Sequence, residues 1–300
     1  MPKVCYRDKR LGPASMSLVK QANDIIGEYQ AQGYKLTLRQ LYYQFVRRLY
    51  IANTTKDYAK LGQVVSDGRL AGFIDWDAIE DRTRETKSVP HWEDPSDIIG
   101  ACERSFRIDK WEGQRFRPEV WIEKEALAGV VEGVCSRLDI SFLSCRGYTS
   151  QSEMWSSAMR LKRYSENGQE PVILHFGDHD PSGMDMTRDV FDRLEMFTGG
   201  LPVKRMALNM DQVEEHKLPE NPAKMTDSRF EEYREKFGES SWELDALEPQ
   251  VLVAMIEKAV LKLRDEDKWE QKVAEEAEHR TLLKGASTRW DELKKILKKK

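Results

Sequence analysis

Apolar residues recur every three or four positions through the first quarter of the chain, which is the period of amphipathic helices. Gly33 is a suitable end for the first helix, and Thr37 is a suitable N-cap for the second. The predicted helices span residues 17–32, 37–49 and 58–71. Residues 73–76 follow as an extended segment, either a short strand or a wing. Three short helices and a wing predict a winged helix-turn-helix, and a plain helical domain with solvated charges is the alternative.

The pattern changes to alternating strands and helices after residue 117. The predicted strands span residues 119–122, 140–144, 171–176 and 203–208, and the predicted helices between them span 124–138, 151–167 and 183–197. This alternation predicts an α/β domain, in which a parallel sheet has helices on both faces. Residues 211–240 are predicted to be rich in loops, and residues 249–278 to form one long amphipathic helix.

The charge distribution divides the 300 residues in the same way. Residues 1–90 carry 15 Lys and Arg against 10 Asp and Glu, whereas the remainder carries 33 against 42. This distribution fits an N-terminal DNA-binding domain over residues 1–90, a linker region over 91–117 and a metal-binding domain with a C-terminal helical extension over 118–300, but the charge asymmetry alone does not establish these functions. A helix within the linker region is expected to begin near Ser96.

The cellular location follows from what the sequence lacks. No apolar run approaches the roughly 20 residues that a membrane-spanning helix needs. The N-terminus has no signal-peptide pattern, and the four cysteines have no Cys-x-x-Cys spacing. We expect a cytoplasmic, nucleoid-associated protein with reduced thiols and no membrane partner.

Three carboxylates follow the predicted strands. Asp178 and Asp180 stand one residue apart after the third strand, and side chains at i and i+2 of extended backbone share a face. Glu123 follows the first strand and lies at the same edge if the two strands are parallel neighbours. Such oxygens would suit Mg²⁺, which can neutralise a phosphodiester. The alternatives are an ordinary turn at Asp178 and Asp180 and a capping role for Glu123. His179 is expected to face away from both aspartates.

The order of these residues resembles the Toprim domain of topoisomerases, bacterial primases and certain nucleases. Glu123 is followed about 50 residues later by the sequence GDHDPSG at residues 177–183. Residues 146–150 are similar to the glycine-containing turn after the second strand of that domain. Residues 242–249 resemble a segment found after the Toprim core in topoisomerase VI A-like proteins.

Residues 37–43 (TLRQLYY) resemble the active-site helix of the topoisomerase VI A subunit and of the meiotic double-strand-break transesterase. In that family an Arg precedes the nucleophilic Tyr by four residues, which implies these roles for Arg39 and Tyr43. The two lie on one helical face, where a guanidinium can hold the scissile phosphate and a Tyr oxygen can attack phosphorus. A packing role for Tyr43 is the alternative.

The resemblance implies a type IIB topoisomerase-like transesterase that cleaves double-stranded DNA through a 5′-phosphotyrosyl intermediate. Glu123, Asp178 and Asp180 would hold Mg²⁺, and Glu123 would also serve in proton transfer. The resemblance further implies a homodimer in which Tyr43 of one protomer meets the metal cluster of the other. It leaves open whether an ATPase B-type subunit is encoded elsewhere.

Five basic residues are expected to contact DNA phosphates in a salt-sensitive manner. They are Arg47 and Arg48 at the end of the second helix, Lys60 and Arg69 on the third, and Arg146 beside the predicted Toprim turn. Two other functions remain open. One is a Toprim nuclease that cuts with metal-activated water, and the other is a non-cutting DNA-binding subunit of a larger assembly.

Overall fold

The structure, a computed structural model, describes residues 3–79 and 89–298. The end of the predicted N-terminal domain, residues 80–88, lies outside the described residues. The α-helices of the described residues are α1 (Pro13–Gln30), α2 (Leu38–Arg47), α3 (Thr55–Leu70), α4 (Pro95–Ser105), α5 (Ala128–Arg137), α6 (Gln151–Glu166), α7 (Pro181–Thr198), α8 (Met210–His216), α9 (Phe230–Phe237), α10 (Pro249–Leu261), α11 (Glu266–Thr288) and α12 (Trp290–Leu297). The strands are β1 (Phe116–Ile122), β2 (Ser141–Ser144), β3 (Glu170–Phe176), β4 (Val203–Ala207), β5 (Asn221–Pro222) and β6 (Ser240–Ser241). Two single 3₁₀ turns cover Glu125–Leu127 and Leu244–Ala246.

Four of the strands form a parallel sheet in the order β2-β1-β3-β4. Alternate residues of β1 and β3 point to opposite faces, so Val120 and Leu174 join one buried cluster and Trp121 and Ile173 join another. Helices α5 and α10 contribute to the first cluster, and α6 and α7 contribute to the second. The predicted α/β class, with a parallel sheet covered by helices on both faces, is therefore confirmed.

The N-terminal helices α1, α2 and α3 agree with the sequence pattern. The Thr37 hydroxyl accepts a hydrogen bond from the backbone N–H of Gln40, while the Gln40 side chain accepts one from the Thr37 N–H, so a capping box starts α2. Residues 73–76, expected to be extended as a short strand or a wing, form bends and a turn and no strand. Their neighbours make only isolated bridges, Cys5 with Ala71 and Leu36 with Ile79. The buried residues of α1–α3 belong to the same cluster as β1, β3 and α10.

Several predicted boundaries are wrong, and both local helix caps and a contact between distant residues account for the differences. The long helix expected over residues 249–278 is interrupted: α10 ends at Leu261 and α11 begins at Glu266. Asp265 caps α11, and its backbone N–H donates to the side-chain oxygen of Gln114 at 2.8 Å. Residues 211–240 contain α8 and α9 where loops were expected. Asp94, not Ser96, caps α4.

The region predicted as a linker holds α4, which packs along α11. The segment before β1 is joined to α11 by a nearly buried ion pair, in which the Lys110 ammonium lies 2.6 Å from a Glu276 oxygen. The same Glu276 oxygen accepts the backbone N–H of Ile108 at 3.1 Å. In the described part of the chain, no helix is both long and apolar enough to cross a membrane.

Replacing Glu276 by alanine should destabilise the protein by about 3 kcal/mol, because the Lys110 charge would stay nearly buried without its partner. The measurement is the free energy of unfolding in urea. Glu275→Ala is the matched control, since Glu275 is on the same helix but much more exposed and pairs only loosely with Lys272 at 3.4 Å; it should cost less than about 0.5 kcal/mol. Equal losses for the two variants would contradict the structural role of Glu276.

Candidate active site

Glu123 and Asp178 meet at the carboxyl edge of the sheet. They follow β1 and β3, which are parallel neighbours paired up to Ile122 and Phe176. The backbone N–H of Glu123 donates to the Phe176 carbonyl at 2.9 Å, and the N–H of Asp178 donates to a Glu123 carboxylate oxygen at 2.9 Å. The prediction that these two carboxylates share one sheet edge is therefore confirmed.

The aspartates after β3 have different partners. Asp178 is buried; one of its oxygens accepts the backbone N–H of Leu244 at 2.7 Å and the other lies 3.0 Å from the Lys124 ammonium. Asp180 caps α7, where a carboxylate oxygen accepts the Gly183 N–H at 2.6 Å. His179 faces away from both aspartates, as expected, and its Nδ1 lies 2.7 Å from the Tyr233 hydroxyl. Burial lowers the pKa of His179 to about 4, so its ring is neutral near pH 7.

Arg205 holds the turn between β3 and α7 in place. Its guanidinium donates to the backbone carbonyls of Asp178 at 2.6 Å, Gly183 at 2.9 Å and Leu208 at 3.0 Å. Burial lowers the pKa of Arg205 to about 10, against the opposing influence of Glu123 and the aspartates. The side chain therefore stays charged near pH 7 and orients the backbone from which the carboxylates project.

Gly183 is required by a close backbone approach. A Cβ atom at this position would lie 2.3 Å from the carbonyl oxygen of Asp178. Cβ atoms in proteins essentially never come within 3.0 Å of another heavy atom in this way. The carbonyl cannot move freely because it accepts the hydrogen bond from Arg205. The residue at position 183 therefore decides whether Asp178 and Asp180 keep their relative positions.

Four further charged groups connect this edge of the sheet to helix α2. Lys124 lies 3.1 Å from an Asp245 oxygen and contacts Glu243. Arg39 contacts the same two carboxylates, with its Nη2 2.6 Å from Glu243 and its Nε 3.0 Å from Asp245. Asp245 is only 2% exposed, so it relies on both cations to offset the loss of water. A continuous chain of ion pairs thus runs from Arg39 to Asp178.

Tyr43 lies on the same face of α2 as Arg39. The centre of its ring is 5.8 Å from the Arg39 guanidinium carbon and 5.4 Å from the centre of the Tyr42 ring. Burial raises the pKa of Tyr43, and Asp245 and Glu243 raise it further, whereas Arg39 and Lys124 act in the opposite direction. Tyr43 borders an open cavity of about 280 Å³. Its lining includes Arg39, Tyr42, Asn53, Tyr58, Asn221 and Glu243.

The site has an excess of negative charge. Within the described residues, five carboxylates (Glu123, Asp178, Asp180, Glu243 and Asp245) interact with three cations (Lys124, Arg39 and Arg205). Burial raises the pKa of Asp178 to about 8, with Lys124 opposing and Glu123 adding to the rise. Burial also raises the pKa of Glu123. Above the raised pKa of Asp178, when all five carboxylates are ionised, they exceed the three cations by two charges, and their oxygen atoms are of the type that a divalent cation prefers.

The carboxylates are nevertheless held by protein donors. Among residues 3–79 and 89–298, no group of three or more His, Cys, Asp or Glu side chains is arranged to hold a metal ion. Lys124 neutralises Asp178, and the capping bonds of Asp180 involve one of its oxygens. Glu123, Asp178 and Asp180 have oxygen atoms of the type that a divalent cation prefers, and they are the residues that would hold one, but they are not arranged around a common position in this structure.

The five residues predicted to contact DNA differ in their surroundings. Lys60 is exposed, and Arg146 is exposed and forms two hydrogen bonds to Glu125 at 2.8 and 2.9 Å. Arg47 pairs with Glu248, and Arg48 pairs with Glu28. Arg69 donates to the carbonyls of Trp76 and Ile79 and lies over the Trp76 ring. Arg69 therefore stabilises the segment that follows α3, as far as Ile79.

Sequence reasoning missed the four charged residues that complete the site. Lys124 was not among the predicted site residues, but its side chain is only 14% exposed and is shared by three carboxylates. Arg205, Glu243 and Asp245 have no local pattern that distinguishes them from surface charges; the only signal was the resemblance of residues 242–249 to a family segment.

No protein-family model and no curated protein matches this sequence.

Gly183→Ala should destabilise the protein by about 1–3 kcal/mol, because the added methyl group must displace the Asp178 carbonyl. Gly27→Ala is the matched control. Gly27 is an exposed helical position in α1 with open space around its Cβ, so alanine there should stabilise by about 0.5–1 kcal/mol. Urea unfolding of both variants provides the measurement, and a neutral Gly183→Ala would show that the turn is not rigid.

Mg²⁺ should bind more tightly as the pH rises through about 8, because protons on Asp178 and Glu123 compete with the cation. We expect the Kd measured by calorimetry to fall roughly tenfold or more between pH 6.5 and pH 8.5. Asp178→Asn should weaken binding and flatten this dependence, whereas Asp211→Asn, at an exposed position outside the site, should leave both unchanged. An affinity independent of pH would contradict the assignment.

Proposed function

We propose that this chain is a DNA transesterase resembling the A subunit of topoisomerase VI, in which Tyr43 attacks a phosphodiester of double-stranded DNA. The observation that carries the proposal is the chain of ion pairs that joins Arg39, beside Tyr43, to Asp178 at the sheet edge. The sequence resemblance alone indicates a nucleophilic tyrosine and a group of carboxylates in separate parts of the chain. The ion pairs give a physical reason for the two to act together.

The finer fold assignment belongs to the same proposal. Helices α1–α3 would be a winged-helix DNA-binding domain, and β1–β4 with their helices would be a Toprim domain. The sheet order β2-β1-β3-β4 and the positions of Glu123 and Asp178 at adjacent strand ends support the Toprim assignment. The capped helix α2, which carries Arg39 and Tyr43, supports the first assignment.

In the proposed reaction the Tyr43 oxygen forms a bond to phosphorus while the bond to the 3′ oxygen breaks, leaving the 5′ phosphate on the tyrosine. Tyr43 enters as a phenol because burial raises its pKa. Its proton leaves to a carboxylate of the cluster, and Glu123 is the member predicted for this transfer. The departing 3′ oxygen takes up a proton from solvent and becomes a 3′ hydroxyl. The Arg39 guanidinium holds the phosphate. A divalent cation, when bound, would neutralise the phosphate and the departing oxygen.

A hydrolytic nuclease is the second candidate, and the environment of Tyr43 favours it. The Tyr43 side chain is only 5% exposed and packs against Tyr42, which is also the arrangement of a purely structural tyrosine. In that case Glu123 and Asp178 at the sheet edge would position water for attack on DNA.

A non-cutting DNA-binding subunit is the third candidate, favoured by the pairing of Asp178 with Lys124. One experiment separates the three.

Incubation with supercoiled plasmid and Mg²⁺, followed by denaturation, should yield protein covalently attached to DNA 5′ ends. Tyr43→Phe should reduce this adduct roughly a thousandfold or more, since the attacking oxygen is removed. Tyr42→Phe is the matched control, because the Tyr42 hydroxyl is occupied by Asn53 and the Thr54 carbonyl, and this variant should keep cutting.

The remaining outcomes identify the other candidates. Cutting that survives Tyr43→Phe but is lost in Asp178→Ala would establish the nuclease. DNA binding without any cutting by the wild-type protein would establish the binding subunit. In either case the transesterase proposal would be rejected.

A further inference from the structure

The cavity beside Tyr43 has a lining that the proposed cleavage reaction does not use. Its volume is about 280 Å³, just below the range of about 300–1,000 Å³ that is typical of pockets for drug-sized ligands. The lining residues come from α2, from the residues around the start of α3 and from β5 and the segment after β6. The cavity therefore admits a small ligand, or one chemical group of a large ligand.

Three tyrosine rings line this cavity. Tyr42 lies in edge-to-face contact with Tyr43 and with Tyr58, at 5.4 and 5.1 Å between ring centres. The Tyr42 hydroxyl donates to the Asn53 side-chain oxygen at 3.0 Å and lies 3.1 Å from the Thr54 carbonyl, which fixes the orientation of its ring. Tyr58 is 38% exposed, whereas the other two rings are 5% exposed. Tyr58 thus presents an aromatic surface beside a fixed neighbour, and flat heterocycles stack on such surfaces.

Two asparagine side chains supply polar groups to the same cavity. The Asn53 amide donates to the side-chain oxygen of Asn221. Among the described residues, no acceptor is found for the side-chain NH₂ group of Asn221. An amide NH₂ group carries two donors, so Asn221 can donate hydrogen bonds to the edge of a heterocycle in the cavity.

The cavity lining carries no net charge. Of the described lining residues, only Arg39 and Glu243 are charged, and their side chains pair at 2.6 Å. A neutral aromatic heterocycle therefore suits the interior better than a phosphate group does. Arg39, to which the proposed function assigns the scissile phosphate, borders this cavity, so a nucleotide next to that phosphate would have its base within reach of Tyr58.

We infer that this cavity binds one unpaired DNA base, which stacks on Tyr58 and accepts hydrogen bonds from Asn221. The inference rests on the proposed function for the placement of the DNA, and it narrows the substrate to duplexes that can release a base next to the phosphate at Arg39. A paired base must leave the stack to enter such a cavity, and this extrusion costs free energy. The cost is smallest for a base without a partner, so duplexes that contain an unpaired base should be preferred.

The affinity for two short duplexes of otherwise identical sequence tests the inference. One has a base opposite an abasic site, and the other has two opposing abasic sites, which keeps the flexibility and removes the base. The Kd is measured by fluorescence anisotropy without a divalent cation, so that no cutting occurs. We expect the duplex with the unpaired base to bind roughly tenfold more tightly, because stacking of one base on an aromatic side chain gives a gain of this order. Equal affinities would overturn the inference, as would the absence of DNA binding.

Variants of the lining show whether the preference arises in this cavity. Tyr58→Ala should reduce the ratio of the two affinities to near one, whereas Tyr58→Phe, which keeps the ring, should retain the ratio. Asn221→Ala should reduce it roughly threefold because a hydrogen bond to the base is lost. Trp155→Ala is the matched control, since Trp155 is an exposed aromatic residue on α6 outside the cavity, and the ratio should not change. A preference that survives Tyr58→Ala would overturn the inference.

A photochemical cross-link locates the base without any need for cleavage. With 5-iodouracil as the unpaired base, irradiation should attach the DNA to the peptide that contains Tyr58, and mass spectrometry identifies that peptide. Attachment only to peptides outside the cavity lining would overturn the inference. The proposed function fails separately: absence of a wild-type DNA adduct in Mg²⁺ would reject the transesterase, while the affinities and the cross-link would still decide whether the cavity binds a base.

Discussion

The buried carboxylate of Asp245 is the constraint on which the arrangement of the site depends. An ionised carboxylate that loses its water costs several kcal/mol unless paired and hydrogen-bonded. Asp245 has two cations, Arg39 from α2 and Lys124 from the end of β1. Because each cation comes from a different part of the fold, neutralising one carboxylate fixes the position of α2 relative to the sheet. Removing Arg39 or Lys124 would break the electrostatic link between α2 and the sheet.

The turn after β3 is held by a different means. Arg205 uses its guanidinium to satisfy backbone carbonyls, and Gly183 allows the chain to pass within van der Waals distance of the Asp178 carbonyl. The backbone that carries Asp178 and Asp180 is therefore set before any ligand arrives. Preorganised charges of this kind need little rearrangement when they act on a ligand. Steric and hydrogen-bonding constraints position these carboxylates, while ion pairs position the tyrosine helix.

The sequence predicted what depends on local periodicity. The four strands, the positions of Glu123 and Asp178 at adjacent strand ends and the helix that carries Arg39 and Tyr43 all follow from repeating apolar positions and turn residues. The break before Glu266 has a local signal, since Asp265 is an N-cap followed by acidic residues in the first turn of α11. The contact that supports it, from the Asp265 N–H to Gln114 about 150 residues away, could not be predicted from the local sequence. The burial of Lys124 was missed for a similar reason, since its partners Glu243 and Asp245 are more than a hundred residues further along the chain.

If the proposed cation and DNA both bind at this site, its surplus of carboxylates over cations would link the two binding events. A DNA phosphate would add negative charge to a cluster in which five carboxylates face three cations, so phosphate binding alone would be electrostatically unfavourable there once the carboxylates are ionised. A divalent cation bound there would remove this penalty. The free energy by which the cation favours phosphate binding equals the free energy by which phosphate favours cation binding. Arg39 adds to the effect: to hold a phosphate it must share its charge with Glu243 and Asp245, which then depend more heavily on Lys124. Lys124 in turn would bind Asp178 less strongly, making that carboxylate a better ligand for the cation. The ion pairs that connect Arg39 to Asp178 would thus make the proposed binding of cation and of phosphate mutually reinforcing.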